Sequence, residues 1–500
     1  MARSPRRGVR RPQRRAAVAT EEPGVAAQPV PAPEQPVGPG PSLVTLAAPV
    51  PPPQEPVGRG PGNVIIQSTF ANHPLLTGRK LLRVTAGAHQ AVASLLRSRV
   101  SLRVHPGDAG AVAAAAMPVR RGGLQEGEGV YFQRLGILTI NADPDQAARL
   151  ASVAAEDNPI NGEEWERYVF AGTDPTFLQG YRTGVNALID QLLADGGGGR
   201  PAPQNPGSVG AAAAGYIDDN RTTWGLKATQ GDTTSLTGDG IRIAVLDTGV
   251  DLTHPDFAGR VAATANFIDG TGDVADRNGH GTHCAGVAAG PLSPARRPRY
   301  GVATEALLHC AKVLGDNGVG TDTSILGGIQ WALEQGCVIL SMSLGAPVGA
   351  NQPRSAAFEQ VGRQALNANA VIIAAAGNDS DRPGRIERVS HPANCRTFAA
   401  VAAVDSRLRV ATFSNAGLEQ DGGQVDFAGP GVDVLSAVPG GYAKMSGTSM
   451  ATPHVAGLAA LLAQKEAAVR GLALLGLLSQ RSLRLAAGSA DVGAGLVHAP

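Results

Sequence analysis

The chain is expected to be an α/β protein: a parallel sheet with helices on both faces, preceded by a small α+β module and a disordered amino-terminal tail. Three observations lead there. Apolar, β-branched runs long enough for one buried strand each recur at residues 241–246, 338–343 and 371–376, with a further strand at 307–314. Between them, 323–335 and 356–367 carry apolar side chains at helical spacing, the first stopped by Gly336. Strands that are apolar throughout, alternating with amphipathic helices, belong to a sheet covered on both faces. Finally, the composition changes along the chain, which sets the boundaries. Residues 1–61 are rich in Pro, Ala, Gly and Arg without any hydrophobic period, 62–195 look globular, 196–218 form a Gly/Pro linker, and 219–500 hold the alternating pattern.

Each element has its own cue. The tail cannot bury enough apolar surface to offset its ordering entropy. In the module, residues 80–84, 130–140 and 167–171 read as strands. Residues 88–96 and 144–155 read as helices, the second capped by Asp143 ahead of Pro144. A helix-like stretch at 181–193 leads into four consecutive glycines at 196–199. In a parallel sheet, chemistry belongs at the strand ends and in the loops that follow them.

Composition excludes some functions. With 43 Lys plus Arg against 42 Asp plus Glu, the net charge of +1 argues against a nucleic-acid partner for the whole chain. No apolar run reaches the roughly 18–20 residues that cross a bilayer, so no membrane partner is expected. The basic start (Arg3, Arg6, Arg7, Arg10) is not followed by an apolar segment, so no secretory signal is read. A cytoplasmic location is the expectation, with export by another route left open. Cys284, Cys310, Cys337 and Cys395 lack metal-site spacing and are expected to be buried free thiols, one disulfide remaining open.

Four short motifs then stand out. Asp247 ends a buried strand in Asp-Thr-Gly; His280 lies in Asn-Gly-His-Gly-Thr-His-Cys; Asn378 follows a strand in Ala-Gly-Asn-Asp; Ser449 sits in Gly-Thr-Ser-Met-Ala-Thr-Pro-His, opening an apolar helix. Alone, each has a plain structural reading: a cap, a satisfied polar group, a turn residue, an N-cap. A serine hydroxyl becomes a nucleophile only when a base takes its proton and a third group orients that base. Taken together and in this order, the motifs resemble those of the subtilisin-like serine proteases over about residues 220–465, with features of the thiol-containing branch around proteinase K.

That resemblance implies the roles. Asp247 would orient the imidazole, His280 would act as general base and then acid, and Ser449 would attack the carbonyl. Asn378 and the Ser449 backbone N–H would hold the oxyanion. Gly318, Val319, Gly320, Ser343, Leu344 and Gly345 would pair with an extended peptide, and Ala375, Ala376 and Gly377 would wall a specificity pocket. Asp379 is either a rim carboxylate or a bias toward basic side chains. His283 and His454 are expected to be structural, and Cys284 a small buried neighbour of the imidazole. The proline near the start of the Ser449 helix is expected to sit where helix N–H groups lack partners anyway.

No cofactor is required by the sequence. Asp256 matches a calcium ligand of the family, but the loop at 290–299 offers Pro and Arg where Asn-rich ligands are expected. The site looks incomplete and Asp256 is read as a turn or cap residue; calcium elsewhere stays open. The module resembles the family's inhibitory propeptide, which would make the chain's own amino-terminal region a partner, cut within 171–219 or retained for regulation; the rival reading is an unrelated accessory α+β domain. Residues 491–499 resemble the family's closing strand, and no further module is expected after it. The expected activity is endopeptidase cleavage of proteins or peptides through an acyl-enzyme on Ser449. Its rivals are a peptide-cyclising acyl transferase, although no helical cap insertion is visible, and a catalytically silent peptide-binding module.

Overall fold

A computed structural model describes residues 75–85, 87–107, 111–112, 124–154, 159–172, 215–269, 271–349, 352–418 and 423–500. The tail at 1–61, the helix-like stretch at 181–193 and all of the 196–218 linker except residues 215–218 lie outside the described residues.

The module begins with β1 (Leu76–Val84), α1 (His89–Leu95) and β2 (Arg103–Pro106). β3 (Glu128–Phe132), β4 (Ile137–Asn141), α2 (Pro144–Ala154) and β5 (Ile160–Ala171) complete it. The run at 130–140, read as one strand, is a hairpin: Phe132 pairs with Ile137, and Gly136 turns the chain at φ 66°. The exposed pair Gln133–Arg134 and Gly136 make the turn, and the fully buried Leu135 between them is what let the run read as continuous. α2 starts as expected. Asp143 Oδ1 accepts the Gln146 N–H at 2.7 Å while Gln146 Oε1 accepts the Asp143 N–H at 3.1 Å, a reciprocal cap.

The larger part opens with β6 (Arg242–Asp247), β7 (Val261–Asn266), α3 (His280–Ala289) and β8 (Leu307–Lys312). It continues with β9 (Val319–Thr321), α4 (Asp322–Glu334), β10 (Ile339–Met342), β11 (Leu344–Gly345) and α5 (Ala356–Asn367). Then come β12 (Val371–Ala375), β13 (Ala399–Val404), β14 (Phe427–Pro430), the hairpin β15 (Val434–Val438) and β16 (Gly441–Met445), and α6 (Thr448–Lys465). β17 (Ser482–Leu483) and β18 (Leu496–Val497) close it. The main sheet runs β17-β18-β14-β13-β12-β10-β6-β8-β7, parallel except for the β17–β18 pair.

Side chains alternate across this sheet, as the strand repeat requires. Ile243, Val245, Ile373 and Val401 pack with α3 and α6, whereas Ala244, Leu246, Ile372 and Ala400 pack with α4 and α5. The helices therefore cover both faces, and α3 and α6 are buried together beneath the ends of β6 and β12. None of the described helices is long and apolar enough to cross a membrane.

The described residues, all within 75–500, form one compact unit. β5 joins its two parts: it pairs with β1 in the module and, further along, with β9 and β11 of the larger part. Two of its carboxylates reach helix starts. Glu164 Oε1 accepts from the Ser355 hydroxyl at 2.5 Å and the Ala357 N–H at 2.8 Å at the head of α5. Glu166 Oε1 accepts the Thr323 N–H at 3.0 Å at the head of α4, and its Oε2 meets Arg79 Nε at 2.6 Å. The free N–H groups of a helix start favour an anion there.

Candidate active site

Asp247 lies at the carboxyl end of β6, 1% exposed. Its Oδ1 accepts its neighbour Thr248's N–H at 2.7 Å and lies 2.6 Å from His280 Nδ1. A carboxylate only accepts, so Nδ1 carries the hydrogen, and in the neutral imidazole Nε2 then presents its lone pair. His280 is the first residue of α3, and the turn before it is held by Asp276. Asp276 Oδ1 takes the Gly279 N–H and the Thr248 hydroxyl, each at 2.8 Å, and Oδ2 takes the Thr282 N–H and hydroxyl. Sequence reading missed Asp276; its position four residues before His280 was the available signal. Gly281 is required by close approach, since a Cβ there would lie 2.3 Å from the Gly249 carbonyl.

Burial pulls the His280 pKa down, but the Asp247 carboxylate more than offsets this and holds it well above the ordinary imidazole value. The neighbouring histidines differ. Burial takes His283 to about 3 and His454 to about 4, with His283 Nε2 donating to Val434 O at 2.9 Å and His454 Nδ1 to Met450 O at 2.8 Å. Both are neutral, structural groups, as expected. Cys284 is fully buried, 3.9 Å from His280 Nδ1, and burial raises its pKa, which keeps it a thiol. All four cysteines are buried and free.

Ser449 is the second residue of α6 and 1% exposed. Its hydroxyl donates to Ser343 O at 3.4 Å, and His280 Nε2 has no hydrogen-bond partner among the described residues. The helix continues through Pro453, its sixth residue and thus beyond the first turn, contrary to expectation. Proline there supplies no N–H to the Ser449 carbonyl. The Ser343 hydroxyl, at 2.7 Å, and the Cys284 thiol, at 3.5 Å, donate to that carbonyl instead. Ser343 therefore holds the Ser449 backbone rather than pairing with the strand in the cleft.

Asn378 is fixed by its oxygen, which accepts the Thr448 N–H at 2.8 Å and the Thr448 hydroxyl at 2.9 Å. Its Nδ2 donates to Gly172 O at 2.8 Å. A Cβ on Gly172 would stand 2.5 Å from that Nδ2 and 3.2 Å from Ser449 Oγ, so Gly172 lies against both. The residues before it occupy the cleft. Phe170 and Val169 pair with Val319 and Gly320, the Ala171 N–H donates to Gly318 O at 2.8 Å, and Ala171 and Phe170 face Leu344 and Gly345.

Ala375 and Gly377 line the pocket beside Gly172, together with Asp379 and Ser390. Ala376 does not; strand alternation turns it into the core, fully buried, while its carbonyl takes the Ser390 N–H. Asp379 Oδ2 accepts from Asn415 Nδ2 at 2.9 Å and from the Ser390 hydroxyl at 3.2 Å.

Asp256 is more than a turn residue. Its Oδ1 accepts the Ala295 N–H at 2.9 Å, and its Oδ2 accepts the phenols of Tyr300 at 2.6 Å and Tyr442 at 3.0 Å. Burial and then the Asp256 charge raise both phenol pKa values, Tyr442 to about 12, so both stay protonated donors. Calcium wants six to eight oxygen ligands. This donor set does not fit it, because three N–H and O–H groups already occupy the carboxylate.

A parallel α/β sheet with an acid–imidazole pair at one strand end and a buried serine at a helix start places the chain among hydrolase-type α/β folds. Residues 238–486 match the family model described as Subtilase family. Subtilisin BL from Lederbergia lenta is 38% identical over 281 residues, covering 55% of this chain and 96% of that protein. Thermitase from Thermoactinomyces vulgaris is 39% identical over 229 residues (46% and 76%). An intracellular serine protease from Paenibacillus polymyxa is 42% identical over 232 residues (45% and 68%). A solved structure of a cold adapted subtilisin-like serine proteinase is 31% identical, with a TM-score of 0.47, covering 56% of this chain and 97% of that one. The chain belongs to the subtilase family of serine endopeptidases.

Proposed function

We propose that the chain cleaves peptide bonds through an acyl-enzyme on Ser449, with Asp247, His280 and Asn378 in the roles that the family resemblance assigns. One observation carries the reading: a polypeptide, residues 168–172, lies in the cleft, with its last described carbonyl 2.8 Å from Asn378 Nδ2. For attack, the Ser449 hydroxyl turns from the Ser343 carbonyl to His280 Nε2, whose lone pair is free to take the proton. Catalytic hydrogen bonds of this kind often form only once substrate is bound. Oγ then bonds to the carbonyl carbon and the carbonyl oxygen becomes an oxyanion facing Asn378 Nδ2 and the Ser449 N–H. The imidazolium, stabilised by Asp247, gives its proton to the departing amine as the C–N bond breaks. Water, activated by the same imidazole, hydrolyses the ester. One donor such as Asn378 supplies about 3–4 kcal/mol, a figure measured in subtilisin itself and so from within this family.

The same contacts make the amino-terminal module an intramolecular inhibitor, with the bond after Gly172 as the first one cut. The Asp256 corner works without calcium, the two phenols standing where a cation would neutralise the carboxylate. Calcium titration is then expected to give equal binding for wild type and Asp256→Asn. The main test uses the full chain and Ser449→Ala with a fluorophosphonate probe and casein. Labelling and casein breakdown are expected in the first and neither in the second; equal labelling of both removes Ser449 as nucleophile.

A further inference from the structure

Five residues before Gly172, β5 carries Arg167, whose side chain turns inward to 8% exposure. Its backbone N–H donates to Asp322 Oδ2 at 2.9 Å, and its Nη1 lies 3.3 Å from His391 Nδ1. His391 Nε2 in turn lies 2.9 Å from Asp322 Oδ1. These three contacts close a ring through two side chains that are almost wholly buried, Asp322 at 0% and His391 at 1%.

The ring admits one proton arrangement. A guanidinium only donates, so His391 Nδ1 must present a lone pair; Nε2 then carries the hydrogen and donates it to the carboxylate. The imidazole is neutral, and Asp322 is a buried carboxylate whose charge is balanced across the ring by Arg167. A neutral side chain in place of Arg167 would leave that carboxylate without a cation, which is costly in a buried setting. Lysine is a poorer substitute, being a compact, strongly hydrated charge without the planar fork of donors. Asp322, at the head of α4, and His391, ahead of β13, both belong to the peptidase part, so the pocket remains when the strand leaves.

We propose that Asp322 and His391 form an arginine-reading subsite, so that this peptidase selects polypeptide segments carrying arginine five residues before the residue whose carbonyl meets Asn378. The inference rests on the proteolytic reading of the cleft given above. The selection has a pH edge. The charged groups acting on His391 are Asp322 on α4 and Arg167 and Glu164 on β5, while α5 presents the uncharged edge of Phe358, 4.7 Å between ring centroids. In the occupied pocket burial lowers the His391 pKa, Asp322 opposing and Arg167 reinforcing. The empty, hydrated pocket lets it return toward the ordinary value of about 6.5. The occupied state thus binds fewer protons, so the arginine preference is full above that value and fades as pH falls below it.

The test uses the full chain with quenched-fluorescence peptides copying residues 165–176, with Arg, Lys or Gln at the position of Arg167. At pH 8 the Arg peptide is expected to be cleaved about tenfold faster than the Gln peptide, the worth of one charge-assisted contact, with the difference in KM. The Lys peptide falls between. The preference should shrink at pH 5.5 in wild type, persist there in His391→Gln, and collapse at both pH values in Asp322→Asn. The contact is also read inside the chain: Arg167→Gln should speed fluorophosphonate labelling of Ser449 about tenfold at pH 8, because its strand is held less firmly. Labelled protein that cleaves Arg and Gln peptides equally, or that labels at one rate with and without Arg167, overturns the subsite and leaves the proteolytic reading standing. No labelling and no cleavage in any form overturns the proteolytic reading and the subsite with it.

Discussion

Inside the main sheet, Ala244, Leu246, Leu340, Ile372 and Ala374 meet helices through apolar contact, none more than 1% exposed. Along β5, where the module meets the peptidase part, the joint is made by Glu164, Glu166 and Arg167, which bring ionisable groups to two helix starts and a histidine. At these positions the first interface is apolar side chain against apolar side chain, with no charge involved. The second couples backbone pairing to charges, so its strength depends on single side chains. The sheet and the joint along β5 are thereby held by different physics.

The sharpest way to break this comparison is at the Asp247–His280 pair. Asp247→Asn removes the charge that keeps the His280 pKa high, leaving burial to pull it down. The acid limb of kcat/KM, which lies above about 6.5 in wild type because the base must be neutral, should move to lower pH. The rate itself should fall about 10⁴-fold, the size seen for the same change in another triad protease. An unmoved limb would deny Asp247 its role. Next in size, Leu340→Ala opens a cavity between β10 and its covering helices and should cost about 2–5 kcal/mol, read as a lowered denaturant midpoint for the whole unit. Glu166→Gln should cost about 1.5–3 kcal/mol at the joint. It should appear as faster labelling of Ser449 with little change in the melting of the peptidase part, and a matched loss in both would mean that the joint is part of the core. Smallest, Tyr442→Phe removes one of the three donors on Asp256 and should lower stability by about 1 kcal/mol. A gain of calcium affinity in that variant would mean that the phenols, not the missing ligands, exclude the cation.

Much of this was legible because local pattern and tertiary role coincide. α5 runs from Ala356 to Asn367, as its apolar spacing indicates. β6 runs from Arg242 and ends on Asp247, as the apolar run before Asp-Thr-Gly indicates. Where the two diverge, reading failed. Ala399–Val404 and Phe427–Pro430 are interior strands, the first made mostly of Ala and the second without a single β-branched residue, so composition did not announce them. Ser343 was placed with the substrate, whereas Pro453 makes it a donor to the Ser449 carbonyl from 106 residues away.

By itself the sequence determined the alternation of buried strands and amphipathic helices, and the four motifs that carry an acid, an imidazole, an amide and a hydroxyl. Each of those depends on neighbours within a turn or two, where spacing is information. Only the tertiary structure decided that Gly172 meets Asn378 and that Arg167 closes a ring with Asp322 and His391, partners 155 and 224 residues distant. Such contacts are made between side chains that share a buried volume. Which side chains share it is settled by how the sheet and its helices pack, and no local pattern records that.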